Sequence, residues 1–157
     1  MRLLAALLLS TVVMTACGRG SDGSGCVEVR EPLDPLSIQH VLDAEAAVFL
    51  TDPPTSGPHL SGPSVSGEFA APVTPAAQVR VLEAGGVVVQ YTDGVDVDPL
   101  RAIVDQTDLA AVLAPAEALP APVVATAWTW KLTCDGPEVD RILDFAAARV
   151  NDAPGLD

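Results

Sequence analysis

The side chains best suited to chemistry in this chain are its two histidines, His40 and His59. An imidazole gains and loses a proton near neutral pH and is also a common metal ligand. His59 ends the segment DPPTSGPH, in which prolines restrict the backbone. Two interpretations of His59 stay open: its ring holds the shape of the loop through a backbone hydrogen bond, or it contacts a ligand. His40 stands among apolar residues and is interpreted as a partly buried packing residue.

No residue pattern predicts a catalytic centre, and we assign no catalytic residue. Ser56 precedes His59 by three residues, but a serine nucleophile needs an imidazole within hydrogen-bonding reach and an oxyanion hole. The chain also has no G-x-S-x-G turn. Asp93, Asp96 and Asp98 lack the twelve-residue loop and terminal glutamate of a calcium site, so they are interpreted as turn formers and helix caps. The sequence favours a non-catalytic protein without deciding the question.

The start of the chain has the pattern of an exported bacterial lipoprotein. Arg2 supplies a positive charge, and residues 3–13 are an apolar stretch too short for a permanent membrane-spanning helix. The tripeptide MTA then precedes Cys17, whose thiol can accept a diacylglyceryl group, and two or three acyl chains give stable anchoring. We predict a removed signal peptide over residues 1–16 and lipidation of Cys17. The alternative is an ordinary signal peptide with an incidental cysteine.

The other two cysteines, Cys26 and Cys134, predict a disulfide, because the compartment outside the cytoplasm is oxidising. A closed loop of about a hundred residues stabilises a fold by up to ~4.7 kcal/mol on the chain-entropy model. Free buried thiols and a metal-binding pair remain alternatives. A zinc site would need His40 and His59, and neither has finger-type spacing to a cysteine.

The charge of the chain excludes one class of partner. With Arg2 removed, seven of the eight Lys and Arg residues remain against 21 Asp and Glu, so the formal charge falls from −13 to −14. Such a surface repels phosphate backbones, and we expect no nucleic-acid binding. It also repels anionic lipid, so the lipid on Cys17 is expected to be the contact with the membrane.

The elements that must position these side chains can be read from hydrophobic periodicity and helix caps. The predicted helical segments are a short turn from Pro35 to Val41, a helix from Ala76 to Ala84 ending at Gly85, a helix opened by Asp98 and Pro99, and an amphipathic helix opened by Pro137. The predicted strands are Ala46 to Leu50, Val87 to Tyr91, Ala110 to Ala114 and Val123 to Cys134. Residues 51–75 contain six prolines and three glycines, which predicts a long loop. Loops of this length are usually functional or disordered.

The segment from Val123 to Cys134 has the clearest strand alternation. On this single predicted strand, Trp128 and Trp130 point to the same face together with Leu132. Their expected role is core packing beside the disulfide, and a ligand platform is the alternative.

These elements predict an α+β fold, or a small α/β fold. We expect a single compact domain with a small mixed sheet, two to three helices and the long Pro/Gly/Ser-rich loop. The predicted organisation is a signal peptide over 1–16, a flexible tether over 17–30, the globular domain over 31–151 and a tail over 152–157.

Three segments resemble a known bacterial family. They are DPPTSGPH at residues 52–59, LEAGGVVVQY at 82–91 and APVVATAW at 121–128. The chain resembles the family of domain of unknown function 3105 over residues 35–150. The resemblance implies a compact domain in the cell envelope, and it brings no established activity.

The resemblance also implies a metal site, because relatives usually carry histidines at the positions of Arg80 and Ala84. Two histidines four residues apart on a helix, with the histidine of the SGPH loop, would give three nitrogen ligands for copper or zinc. In this chain only His59 is left, so we expect the site to be lost or remodelled. Glu83 stands where the family motif keeps an acid and is a candidate supporting or capping group.

Two functions therefore stay open. The first is a non-catalytic envelope lipoprotein that binds a protein or small molecule, with the 51–75 loop as its contact surface. The second is a copper- or zinc-handling protein or enzyme that uses His59 with Glu83 or with nearby aspartates. The missing histidines favour the first.

Overall fold

The structure is a computed structural model that describes residues 25–44, 47–106, 110–149 and 152–154. The described strands are β1 (Cys26–Arg30), β2 (His40–Val41), β3 (His59–Leu60), β4 (Gly67–Glu68), β5 (Val87–Tyr91), β6 (Ala111–Pro115), β7 (Val123–Ala127) and β8 (Trp130–Cys134). The described helices are α1 (Pro75–Glu83), α2 (Arg101–Gln106) and α3 (Val139–Arg149). The predicted α+β class, with one small domain and a mixed sheet, is confirmed.

Six of these strands form one sheet in the order β1-β8-β7-β5-β6-β4. From β1 to β5 the neighbours are antiparallel, whereas β5, β6 and β4 run parallel. The parallel pair β5 and β6 is joined through α2, as a parallel connection requires a crossover. The short strands β2 and β3 form a separate parallel ladder.

The sheet buries apolar side chains on both faces. On one face, Val87 and Val89 of β5 pack with α2 and α3, whose buried residues include Ile103 and Phe145. On the other face, Val88 of the same strand packs with α1 and Trp128. Strand β5 therefore reads VVVQY without polar alternation, because both of its faces are covered.

Helix α1 matches its sequence prediction closely. Pro75 occupies the first turn, and the helix ends before Gly85, which has a φ of 82°. A Cβ on the next residue, Gly86, would lie 2.2 Å from the carbonyl oxygen of Ala110. The glycine pair therefore ends the helix and lets the chain pass close to the segment that enters β6.

The segment from Val123 to Cys134 is a hairpin, and the prediction of one continuous strand is wrong. Trp128 and Thr129 form the turn between β7 and β8, and Thr129 has a φ of 60°. Because of this turn, the two tryptophans lie on opposite faces of the sheet. Trp128 packs with α1 on one side of the sheet, whereas Trp130 packs against the core on the other side.

Four smaller expectations also differ from the structure. Residues 35–38 form turns, but His40–Val41 is a strand, and residues 47–50 contain no strand. The long loop does hold the two-residue strands β3 and β4. Strand β1 occupies residues 26–30, which the sequence analysis assigned to the tether, so the described domain starts at Cys26.

The predicted disulfide between Cys26 and Cys134 is present. It joins the first residue of β1 to the last residue of β8, which are paired across the ladder. Arg141 and Arg149 of α3 form salt bridges with Glu28 of the edge strand β1. Within the described part of the chain, no helix combines the length and the apolar character needed to cross a membrane.

Candidate functional site

The loop that leads to His59 is buried. Every residue from Pro53 to His59 is inaccessible or nearly so. The Thr129 backbone N–H donates to the Thr55 carbonyl at 2.9 Å, and the Asp34 backbone N–H donates to the Ser56 hydroxyl at 2.9 Å. The segment therefore packs against the β7–β8 turn, and its hydrogen bonds fix the position of the histidine.

His59 is 1% exposed, and its backbone belongs to the β2–β3 ladder. Its Nδ1 lies 3.1 Å from the carbonyl oxygen of Gly57. A carbonyl only accepts hydrogen bonds, so this nitrogen carries the hydrogen. Gly57 has a φ of 133°, and a Cβ there would lie 3.0 Å from the Phe49 ring and 3.2 Å from Asp34 Oδ2. The hydrogen bond of Nδ1 therefore supports the interpretation in which the His59 ring holds the shape of its loop.

The other nitrogen faces helix α1. Nε2 of His59 lies 3.0 Å from Oε2 of Glu83. The approach lies outside hydrogen-bonding geometry, so among the described residues this buried nitrogen has no hydrogen-bond partner. The same carboxylate oxygen accepts from Arg80 at 2.7 Å, and Arg80 Nε donates to the Gly62 carbonyl at 2.6 Å. The Nε2 of His59 thus has no hydrogen-bond partner and lies beside the Glu83 carboxylate, which is paired with Arg80.

His40 completes this group of side chains, although the sequence predicted only packing for it. It is exposed, and its ring contacts the His59 ring edge-on, with centroids 4.7 Å apart. The expectation of partial burial is wrong, because its neighbours Ile38 and Leu42 are themselves 89% and 98% exposed. Over the described residues, no group of three or more His, Cys, Asp or Glu side chains is arranged to hold a metal ion.

The positions highlighted by the family resemblance do lie at this place. Arg80 and Glu83 are one turn apart on α1, and both face the loop that carries His59. Ala84 is the C-cap residue of the same helix. The guanidinium of Arg80 is thus a positive charge next to the carboxylate and the histidine.

Other candidate residues lie elsewhere. Ser56 is 2% exposed, so its hydroxyl is closed to a substrate. Asp96 Oδ1 accepts from the Asp98 backbone N–H at 3.2 Å, and Asp98 pairs with Arg101. These acids form a turn, as interpreted from the sequence. Cys17 lies outside the described residues.

A small open cleft adjoins the His59 group. Its volume is about 80 Å³, and it is lined by Leu60, Ser61, Pro63, Val65, Ala77 and Arg80. Pockets that enclose drug-sized molecules measure roughly 300–1,000 Å³. The cleft is therefore suited to one side chain or one small group.

The comparison with protein families agrees with the quoted motifs. A family model described as "Protein of unknown function (DUF3105)" matches residues 40–156, which is most of the chain. This chain belongs to the DUF3105 family. No curated protein and no solved structure matches it.

The DUF3105 match starts at His40 and includes His59, Arg80 and Glu83. Cys26 precedes the matched region, so the disulfide ties the strand ahead of the DUF3105 region to its central sheet. The pairing of Arg80 with Glu83 has a visible signal in the sequence, since oppositely charged residues three apart share a helix face. The contact between His40 and His59 has none, because it depends on the ladder of β2 and β3.

Proposed function

We propose that this protein is a bacterial cell-envelope lipoprotein, anchored by a lipid on Cys17, whose folded domain is a binding module outside the cytoplasm. The observation that carries the proposal is the disulfide between Cys26 and Cys134. It uses two of the three cysteines and leaves the one that follows the signal-peptide pattern. A disulfide between paired strands also fits an oxidising compartment.

The site geometry favours binding over catalysis. The ring of His59 is 1% exposed, and the Glu83 carboxylate is paired with Arg80, so little of either side chain is presented to a substrate. The burial of residues 53–59 restricts the proposed contact surface to the exposed part of the loop, chiefly residues 61–72, and the adjoining cleft. A cleft of this size accepts a side chain of a protein partner more readily than a whole small molecule.

The anchor is tested by the mass of the protein extracted from membranes. We expect the mature chain to begin at Cys17 and to carry a diacylglyceryl group and an N-acyl chain. A Cys17→Ser variant should appear in the soluble fraction without lipid. An unmodified Cys17 in a membrane-extracted protein would contradict the proposal.

Copper or zinc handling is a second candidate, favoured by the unpartnered Nε2 of His59 beside Glu83 and the neighbouring ring of His40. Native mass spectrometry with copper(I), copper(II) and zinc tests it on residues 17–157 carrying Cys17→Ser. One bound ion per chain that disappears in His59→Ala, and persists in an Asp93→Ala control, would favour this function. If neither copper nor zinc binds stoichiometrically, metal handling is excluded and the binding module is the one function left.

A further inference from the structure

Strand β1 is an edge of the central sheet and, among the described residues, pairs only with β8. At the start of this ladder, the Asp135 backbone N–H donates to the Gly25 carbonyl. Just past its other end, the Glu31 N–H donates to the Thr129 carbonyl. Because hydrogen-bonded residues alternate along an antiparallel strand, the odd-numbered residues of β1 bond to β8 and the even-numbered ones do not. The backbone groups that point to the open side are therefore those of Cys26, Glu28 and Arg30.

The two edges of this sheet differ in how they would receive a further strand. The β4 edge has the two strand residues Gly67 and Glu68, and Glu68 is paired with Arg101. Short, charged edges of this kind discourage pairing with other chains. Strand β1 has five residues in unbroken register with β8, contains no proline and is fixed at Cys26 by the disulfide. Helix α3 packs chiefly over β7 and β8, so β1 is an ordered strand that loses little further entropy on pairing.

Basic residues are concentrated around β1, since four of the eight Lys and Arg residues lie on β1, β8 and α3, against three of the 21 Asp and Glu residues. The four are Arg30, Lys131, Arg141 and Arg149. The neighbouring acids Glu31 and Asp152 are each paired with one of them. Arg30 is exposed and pairs with no acid in the described part of the chain, and its guanidinium carbon lies 5.7 Å from the centroid of the Trp130 ring. This edge is therefore less negative than the chain as a whole, which lowers the repulsion between two copies.

The sequence of β1 matches a second copy of itself in one antiparallel register. Two-fold pairing through the even-numbered residues can be centred on residue 27, 28 or 29. Centred on Glu28, it places two carboxylates directly opposite each other, which is destabilising. Centred on Val27, it leaves both charged residues of β1 opposite uncharged ones. Centred on Val29, it places Glu28 of each copy opposite Arg30 of the other, so the charges of the strand favour this register.

We propose that this protein self-associates through β1, whose open edge pairs antiparallel with β1 of a second copy about a two-fold axis at Val29. Glu28 of each copy then exchanges backbone hydrogen bonds with Arg30 of the other. The Glu28 carboxylate is already paired with Arg141 and Arg149. The opposite charges therefore select the register, whereas the backbone hydrogen bonds carry the affinity.

A shared membrane would strengthen this pairing, and this step alone rests on the proposed lipid anchor. An interface one strand long is small, so it is weak between freely diffusing copies. In the Val29-centred register, Cys26 of each copy lies opposite Pro32 of the other, which places the two Cys26 residues roughly 20 Å apart. Residues 17–25 reach at most about 30 Å, so the lipids of both copies can enter one bilayer. Confinement to that bilayer raises the effective concentration of each copy for the other.

Cross-linking of the full-length chain, purified from membranes and placed in phosphatidylcholine vesicles, tests the register. In the proposed pairing the two Val29 residues form a directly opposed pair without hydrogen bonds, as Cys26 and Cys134 do within the domain. Under mild oxidation Val29→Cys should give at least about tenfold more disulfide-linked dimer than Val27→Cys, because the two copies of residue 27 lie too far apart for a disulfide. Both valines are half-buried on the same face of β1, so the variants are matched. Peptide mass spectrometry should locate the link at position 29 and find the Cys26–Cys134 disulfide intact.

Sedimentation velocity of residues 17–157 carrying Cys17→Ser measures the pairing without a membrane. The dimer fraction of this chain should rise with its concentration. Arg30→Pro removes an outward N–H and leaves the ladder with β8 intact, so it should weaken the dimer about tenfold through one hydrogen bond lost in each half of the interface. The control Arg30→Ala also removes the charge but keeps the N–H, and it should weaken the dimer by no more than about threefold. Unchanged circular dichroism and melting temperature would exclude unfolding of either variant.

Three outcomes would overturn the proposal. Equal cross-linking of Val27→Cys and Val29→Cys would assign the covalent dimer to random collisions. Cross-linking of Val27→Cys alone would place the two-fold axis elsewhere. Failure of both variants to cross-link, with a soluble chain that stays monomeric at every concentration, would exclude a second copy as the partner of β1. A dimer of the soluble chain would stand even if Cys17 carries no lipid, whereas a lipidated chain that does not cross-link would contradict the pairing and leave the anchor.

Discussion

Single buried polar groups determine the shape of the loop that ends at His59. Asp34 is 4% exposed, and its carboxylate accepts two backbone N–H groups from residues far apart in sequence. The His59 Nδ1 is also hydrogen-bonded, as a donor to the Gly57 carbonyl. A buried polar group that is hydrogen-bonded stabilises one conformation, whereas an unpartnered one costs free energy. Among the described residues, the Nε2 of His59 is one of three buried side-chain atoms without a hydrogen-bond partner, the others being the side-chain oxygens of Gln78 and Gln90. It is marked out by the Glu83 carboxylate, which lies 3.0 Å away.

Gly57→Ala should destabilise the fold more than Gly62→Ala. Both glycines have positive φ, so each substitution strains the backbone by about 1–2 kcal/mol. Only at Gly57 would the new methyl group also press on Phe49 and Asp34, which adds roughly 1 kcal/mol or more. Urea unfolding of both variants measures the difference. Equal losses would mean that the loop adjusts around the methyl group.

Glu28 makes the stability of the edge strand depend on pH. Burial alone would raise the pKa of this carboxyl, but hydrogen bonds and attraction from Arg141 and Arg149 outweigh it and hold the pKa below its usual value of 4.5. Ionised Glu28 therefore stabilises the fold above pH 4.5, and that contribution is lost as the pH falls through the lowered value.

Glu28→Gln should lower the free energy of unfolding at pH 7 by on the order of 1 kcal/mol. The gap between variant and parent should narrow on acidification below pH 4.5, because the parent loses the same interaction. Urea titrations at several pH values measure this, with the exposed Glu117→Gln as the control for a simple change in charge. A gap that is constant with pH would assign the effect to packing.

Among the elements, those with local signals could be predicted and those that depend on distant partners could not. Helix α1 has a proline at its start and a glycine after its end, and α3 has apolar residues at helical spacing. The β7–β8 turn was missed because Trp128 and Thr129 are not turn-forming residues. Strand β1 was missed because only its pairing with β8 defines it.

The residues of the candidate site also fall into those that the sequence indicates and those that depend on distant strand pairing. His59 and Glu83 were selected from the sequence, but their proximity came from the family resemblance and not from spacing. His40 was assigned to packing because nothing local indicates that β2 pairs with β3. A parallel ladder between residues 19 positions apart leaves no periodic signal in the sequence.

The hairpin turn gives a prediction for Thr129. Thr129→Pro should destabilise the protein by about 2 kcal/mol or more, since proline cannot adopt the φ of 60° and removes the N–H that donates to Thr55. Thr129→Asn should remain within about 1 kcal/mol, because asparagine tolerates that conformation and keeps the donor. Thermal unfolding compares the two variants. A tolerated proline would show that the turn can rearrange.

At the scale of the whole molecule, one covalent link joins strands that are 108 residues apart in sequence. The chain-entropy model gives an upper value of ~4.7 kcal/mol for a closed loop of this length. Replacing Cys26 and Cys134 together by serine should lower the free energy of unfolding by up to that amount. Guanidinium unfolding of the variant, and of the parent with and without reductant, measures it. If the reduced and oxidised parent chains have the same free energy of unfolding, the disulfide does not stabilise the fold.

The position of this link also determines how the domain responds to a mechanical load. A pull on the chain ahead of Cys26 acts on the first residue of an edge strand, and such strands peel away one hydrogen bond at a time. Here the first pair of the ladder is a covalent bond to β8. The load therefore passes at once into an interior strand of the six-stranded sheet, and β1 is protected from unzipping from that end. Under the proposed lipid anchor, a pull from the membrane would therefore leave the pairing of β1 with β8 intact for as long as the disulfide stays oxidised.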